Sequence, residues 1–372
     1  MSSRLPLVDP HDKEHTYCTY CPKLCRHACP VSTVEGRETT TPWGKMASLH
    51  HVAEGNLDLD ADVAQTWWAC TGCIRCKSFC DHDNEVARAL GAGRAEALRA
   101  GVAPEAAREL TEMHAAREKR AAEDAEALFG EDMGRRTPAV YAPGCTGCVA
   151  TPDEARAGLA ATRAFAGDDV GVAAKVCCGS PLLDAGDRDG FIRAAQRFLR
   201  EVDGTHRVVF SDPGCLHALA VTLPALTGET FRDDTQKLLH LSEIVVGNLD
   251  RLQRVDLGDD EIRYHDPCRL GRGMGIYEPP RRVLARILGR SPGELHQRRE
   301  HAECSGAGGQ LPRVFAASAR AIAEERRADH ELAGGGVIVS PCPASKRAFE
   351  KAGVRTLGFA ELVARSAGNL PD

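Results

Sequence analysis

Sixteen cysteines in a chain of 372 residues constrain this sequence more than any other feature. Eight of them crowd into residues 18–80, within "CTYCPKLCRHACP" and "CTGCIRCKSFCDHD", and the other eight are spread from 145 to 342. The start, "MSSRLPLVDPHDKEH", carries no hydrophobic core of an export signal. A cytoplasmic location is therefore expected, with peripheral attachment at the inner face of the cell membrane left open. The cytosol keeps thiols reduced, so metal or redox chemistry is favoured over disulfides. Cys177 and Cys178 sharpen the question, because they are adjacent and followed by Gly179. Neighbouring Cα atoms lie about 3.8 Å apart, whereas an unstrained disulfide wants about 4.4–6.8 Å. Two buried free thiols or two ligands of one soft metal centre remain.

The N-terminal cysteines form two quartets. Cys70, Cys73, Cys76 and Cys80 have the spacing C-x2-C-x2-C-x3-C, the run that holds cubane iron–sulfur clusters in bacterial ferredoxins. Cys18, Cys21, Cys25 and Cys29 have x2, x3, x3, one residue longer, and Asp81 stands where proline usually closes the run. Thiolates are soft ligands, and a short loop wraps three of them round one cluster while the fourth comes from elsewhere. That logic gives a crossed expectation: Cys18, Cys21, Cys25 and Cys80 on one 4Fe–4S cluster, and Cys70, Cys73, Cys76 and Cys29 on the other. Zinc fits less well, since its sites use two C-x2-C knuckles separated by a longer loop. Between the quartets, "TPWGKMASLHHVAEG" reads as a turn and then a helix. Pro42 and Gly44 start it, and Met46, Leu49 and Val52 recur at helical spacing. Trp67 and Trp68 read as packing that shields a cluster, or as ordinary core aromatics.

Residues 84–130 are rich in Ala, Arg and Glu and read as two solvated helices, broken near Gly101 and Pro104. Beyond them the chain repeats itself. Cys145, Cys177 and Cys215 in one module match Cys268, Cys304 and Cys342 in the next, and "HLSEIV" at 240–245 matches "GFAELV" at 358–363. "PAVYAPGC", "RVVFSDPGC", "IRYHDPC" and "GVIVSPC" read as strands running into cysteines, with helices after them. Thr151–Glu154 reads as a capping box with Pro152 in the first helical position. The expected fold is thus an α-helical ferredoxin domain (1–90), a helical linker (91–136), and two small parallel α/β cysteine-rich modules (137–255 and 256–372). Ligands of such sheets sit beyond the carboxyl ends of the strands. Cys145, Cys177, Cys178 and Cys215 are candidate ligands there, with Cys148 undecided. In the second module Ser305 replaces the paired cysteine, leaving Cys268, Cys304 and Cys342 as candidates, with His265 or His301 available to help a zinc ion. The modules are thus read as holding a further iron–sulfur cluster or zinc.

Two ferredoxin-type motifs followed by two Cys-Cys-Gly modules resemble the glycolate oxidase iron–sulfur subunit, the heterodisulfide reductase large subunit and the anaerobic glycerol-3-phosphate dehydrogenase C subunit. "TPWGKM" is similar to that family's Pro-x-Gly-Lys/Arg stretch, and "DPGCL" to its third-cysteine segment. The resemblance implies an electron-transfer subunit that takes electrons from a flavoprotein dehydrogenase, acting on a 2-hydroxy acid such as glycolate, and passes them to a quinone or another acceptor. A heterodisulfide-reductase-like catalytic subunit is the alternative, and a non-enzymatic zinc scaffold is a third. Ala218 and Ser345 stand where the pattern often has another cysteine, so both modules carry fewer thiols than the fullest sites. No flavin or nicotinamide fingerprint is complete: "GRGMG" at 271–275 lacks the helix context, and "SGAGG" at 305–309 reads as wrapping a metal site. Net charge is −6 with both signs interleaved, which gives no basic stripe for nucleic acid, and no apolar run approaches a membrane span.

Overall fold

The computed structural model describes residues 5–229 and 237–368; the first four residues of the start read for an export signal lie outside the described residues. The chain forms two units, each assembled from separated stretches. The first comprises Met1–His114, Pro181–Phe191 and Glu300–Ala328; the second comprises Ala115–Ser180, Ile192–Arg299 and Asp329–Asp372.

The first unit is built around the helices Asp12–Thr19, Pro30–Glu35, Pro42–Ala53, Ala61–Trp68 and Val86–Arg99. The expected helix between the cysteine quartets begins at Pro42, where the missing N–H costs nothing. The Gly44 N–H donates to Thr41 Oγ1 at 2.9 Å, capping it. Met46, Leu49 and Val52 are buried, as their spacing predicts. Val86–Arg99 departs from the expected solvated helix, because its Ala89, Leu90, Gly93 and Ala97 are buried. A Cβ on Gly93 would sit 2.7 Å from Leu49 Cδ1 and 3.0 Å from the Trp67 ring, so small residues let the helix close on its neighbours. The next helix, Glu105–Phe129, is mostly exposed apart from a stripe of Ala107, Leu110, Ala121, Ala125 and Phe129. Trp67 and Trp68 are fully buried, and Trp67 Nε1 donates to Ser48 Oγ at 3.0 Å.

Two parallel four-stranded sheets make up the second unit. The first holds β1 (Ala139–Ala142), β2 (Val170–Val172), β3 (Arg207–Phe210) and β4 (Lys237–His240). The second holds β5 (Ile262–Tyr264), β6 (Gly293–Glu294), β7 (Val337–Ser340) and β8 (Thr356–Gly358). Their orders, β2-β1-β3-β4 and β6-β5-β7-β8, are the same topology twice. The α/β fold of both modules follows the sequence expectation, and β1, β3, β5 and β7 are the four strands it named. One core joins the sheets: Phe165 and Ala161 from the helix Pro152–Ala166 pack with Leu362 and Val363 from Phe359–Ser366, between Val209 of β3 and Val339 of β7.

The capping box expected at Thr151–Glu154 does not form. The helix does start with Pro152, but Thr151 makes no side-chain cap. Glu154 turns inward instead, so close to Gly358 that a Cβ there would meet its carboxyl carbon at 2.5 Å. A capping box forms at His240, whose Nδ1 accepts from the Ser242 N–H at 3.2 Å while its own N–H donates to Glu243 Oε2 at 2.8 Å. No helix among the described residues is long and apolar enough to cross a membrane.

Candidate metal centres

The loops of the first unit fold round sulfur. In "CTGCIRC", Gly72 and Ile74 take positive φ of 67° and 52°, and in "CPKLC" Lys23 takes 67°. Such left-handed turns curl a chain back on itself. The Gly72 N–H donates to Cys70 Sγ at 3.4 Å. Cys29, Cys70, Cys73 and Cys76 all line one small cavity, with Lys45, Val31, Val86 and Ile74 around them. Cys18, Cys21, Cys25 and Cys80 form the other set: the Cys18 thiol feels Cys25, Cys80 and Cys21 electrostatically. By shared cavity in one set and electrostatic proximity in the other, the last cysteine of each quartet keeps company with the first three of the other. Cys25 and Cys76 also interact electrostatically, so the two sets adjoin.

Burial and the crowd of like groups push Cys18 up to about 12 and Cys25 up to about 11. Without metal these thiols keep their protons at neutral pH, so loading iron must release protons. Asn84 Nδ2 donates to Cys18 Sγ at 3.3 Å. Lys45 is fully buried, and its Nζ donates to Ala69 O at 2.6 Å and to Cys29 Sγ at 3.6 Å. Burial pulls that ammonium's pKa down, but the sulfurs of Cys29, Cys70 and Cys76 outweigh it and the pKa lies above the ordinary lysine value. Arg94, also buried, donates to the carbonyls of Trp67 (3.0 Å), Cys70 (2.8 Å), Asp184 (3.1 Å) and Gly309 (3.3 Å).

The stretch "SGAGG" lies against the second quartet. A Cβ on Gly308 would stand 2.4 Å from Thr71 O, and one on Gly309 would stand 2.2 Å from Cys70 O. What it packs on is the backbone of the Cys70 loop. Leu311, Phe315 and Ile322 extend that contact to Cys29, Val31 and Ala69.

In the second unit, Cys145, Cys177, Cys178 and Cys215 converge past the ends of β1 and β3 and line one cavity with Glu118, Phe198 and Phe210. Cys178 Sγ and Cys215 Sγ are 3.2 Å apart, and the Gly179 N–H donates to Cys177 Sγ at 3.4 Å. A hydrogen bond donated by Cys145 to Cys177, with burial, drives the Cys145 pKa well up. Carboxylates hold the adjacent backbone: Glu201 accepts from the N–H groups of Lys175 and Val176, both at 3.1 Å, and Glu118 accepts from that of Cys177 at 2.8 Å. Arg197 steadies Glu118 at 2.7 Å. Cys148, undecided from sequence, packs with Ala125, Phe129, Tyr141 and Leu159 in an apolar cluster and does not line the cavity. Cys268 and Cys342 belong to the second unit, where burial, Asp212 and Cys268 push Cys342 up to about 12. Cys304 and His301 belong to the first; there the Gly306 N–H donates to Cys304 Sγ at 3.3 Å, and His301 stacks on Phe79. His265 lies beside Ser340 Oγ at 3.1 Å. Among the described residues no three His, Cys, Asp or Glu side chains are gathered as a site for a single metal ion.

Asn84, Arg94 and Glu118 are the residues at these centres that sequence reasoning passed over, and Lys45, though inside the noted "TPWGKM", was given no role. Lys45 had left a signal: it shares the apolar stripe of Leu49 and Val52 at i, i+4, i+7, where an ammonium requires a buried partner. Glu118, on a helix read as a wet linker, had left none.

Comparison with known proteins finds two kinds of domain in this chain. A 4Fe-4S dicluster domain matches residues 14–84, and a cysteine-rich domain matches twice, at 139–220 and 262–348. The chain belongs to the iron–sulfur family that joins a dicluster ferredoxin domain to two cysteine-rich domains, and the dicluster domain implies two 4Fe–4S clusters. Soft thiols in sets of four, one of them in a cavity lined largely by apolar side chains, suit such clusters. More particularly, the chain is 32% identical over 176 residues to a subunit of the dihydromethanophenazine:CoB–CoM heterodisulfide reductase of Methanosarcina acetivorans, covering 46% of this chain and 43% of the relative. It is 27% identical over 251 residues to a subunit of the fumarate reductase (CoM/CoB) of Methanothermobacter marburgensis, covering 66% and 49%. It is also 32% identical over 115 residues to the probable iron–sulfur-binding oxidoreductase FadF of Bacillus subtilis, covering 29% and 16%. The matches thus span less than half the length of these relatives.

Proposed function

We propose that this chain is the electron-transfer subunit of a flavin-dependent oxidoreductase complex. A flavoprotein that oxidises a 2-hydroxy acid such as glycolate, or a similar substrate, would donate the electrons, and a quinone or another acceptor would receive them. The observation that carries this reading is the pair of adjoining four-thiol sets in the first unit. When bound, a 4Fe–4S cluster takes up and releases electrons singly. The protein's part is to supply the ligands, Cys18, Cys21, Cys25 and Cys80 for one cluster and Cys29, Cys70, Cys73 and Cys76 for the other. Val31, Ile74 and Val86 line the cavity of the second set and keep its surroundings dry. Relatives named as subunits of oxidoreductases support the assignment.

Two experiments test it. Protein purified without oxygen should contain about eight irons and eight sulfides per chain for its two cubanes, and should capture a flavoprotein when used as bait in extract of its own cell. Iron-free, folded protein, or zinc in place of iron, ends the proposal. Cys29→Ser should weaken the spectroscopic signal of one cluster and spare the other, and Cys18→Ser should do the reverse. Loss of the same signal in both variants would refute the crossed ligation.

One observation favours a second reading. Cys145, Cys177, Cys178 and Cys215 share a cavity past the strand ends, where a disulfide substrate could dock. Turnover of a heterodisulfide with a reduced dye and no partner, abolished by Cys178→Ser, would support a reductase. Spectra of Cys178→Ser identical to wild type would make that thiol structural.

A further inference from the structure

The cavity of Cys29, Cys70, Cys73 and Cys76 contains a cation. Lys45 is 1% exposed, lines the cavity, and places its Nζ 3.6 Å from Cys29 Sγ. The ammonium interacts electrostatically with Cys70 and Cys76 as well as Cys29. The set of Cys18, Cys21, Cys25 and Cys80 receives instead a neutral donor, the Asn84 amide, at 3.3 Å from Cys18 Sγ. We propose that Lys45 is a positioning residue whose charge raises the reduction potential of the cluster held by Cys29, Cys70, Cys73 and Cys76, which makes that cluster the preferred resting place of an electron shared by the two. The inference rests on the ligand assignment proposed above.

Reduction adds one negative charge to a cluster and its thiolates, and no proton need follow. A fixed positive charge beside the ligands favours that added charge, and in a dry cavity water screens it little. Net charge and hydrogen bonds to sulfur are among the factors that set iron–sulfur potentials. Lys45 supplies both to Cys29. It is also tied to Ala69 O at 2.6 Å, which aims the ammonium. A lysine kept only as a strut between Cys29 and Ala69 would leave the potential alone.

The test is a redox titration of the full chain, purified without oxygen, with dithionite as the one-electron donor and both cluster signals followed by EPR. Lys45→Met should keep the iron and sulfide content of wild type. It should lower the equilibrium constant for reducing one cluster at least tenfold, about 59 mV for one electron, and leave the other cluster unmoved. The cluster that shifts should be the one weakened by Cys29→Ser, and Lys45→Arg should restore most of the shift. If Lys45→Met does not hold iron, Lys45→Gln replaces it, because its amide can still donate a hydrogen bond; failure of both to hold that cluster makes the lysine structural and overturns the tuning role. Two wild-type cluster signals with neither displaced in Lys45→Met overturn this inference alone. Fewer than two cubane signals in wild-type protein overturn the ligand assignment and this inference with it.

Discussion

Gly309→Ala is expected to destabilise the first unit by about 2–5 kcal/mol, the sum of a backbone cost and a clash. Gly309 has φ +65°, and left-handed backbone costs an L-residue roughly 1–2 kcal/mol. The new Cβ would also stand 2.2 Å from Cys70 O and 2.8 Å from Thr71 C. Both are main-chain atoms of a ligand loop, so neither can swing aside as a long side chain would. Gly36 provides the control within the same unit: its φ is +64° and nothing lies within 4 Å of its Cβ position. Gly36→Ala should show the backbone cost alone, about 1 kcal/mol. Denaturant midpoints of the metal-free variants measure the difference. The loaded Gly309→Ala variant should also lose iron from the cluster that depends on Cys29. Equal midpoints for the two variants would mean that Gly309 does not press on the Cys70 loop.

The second large effect is in pH. Burial pushes the Glu154 carboxyl up to about 8 from its ordinary value of 4.5; Lys346 works against the shift, and Glu361, Glu350 and Asp212 add to it. Its Oε2 is buried with no hydrogen-bond partner. Between those two values the folded chain holds a proton that the unfolded chain has released. Stability must therefore fall as pH rises from about 4.5 through 8, and the loss is complete only above the folded value. At 1.36 kcal/mol per pKa unit the limiting penalty is about 5 kcal/mol. Glu154→Gln keeps the shape and removes the titration. It should match wild type near pH 5 and exceed it by several kcal/mol at pH 9. Parallel stability–pH curves for the two proteins would rule the buried acid out as the source.

The legible and illegible parts of this sequence differ in how local their physics is. The cysteine quartets could be read because ligand spacing is a property of a short loop. β1, β3, β5 and β7 could be read because each is a run of β-branched or aromatic residues halted by a Pro-Cys or Pro-Gly-Cys turn. β6 could not: it is two residues, Gly293 and Glu294, made a strand only by pairing with β5. The capping box at 151–154 had the right letters, but tertiary packing against Gly358 drew Glu154 away from the helix end. Val86–Arg99 looked solvated because alanine and charge dominate it, although Gly93 and Ala97 were the means of close packing. Glu118 was beyond reach, since its partner, the Cys177 N–H, lies 59 residues along the chain.

The first unit takes Glu300–Ala328 from far down the polypeptide, and Gly308 and Gly309 lie against the loop that begins at Cys70. Synthesis is vectorial, and 239 residues, 309 − 70, separate the two. At about 5–20 residues per second a nascent chain spends roughly 12–48 s with that loop uncovered. That face of the ligand loop therefore stays open during translation, and the ribosome's own pace sets for how long.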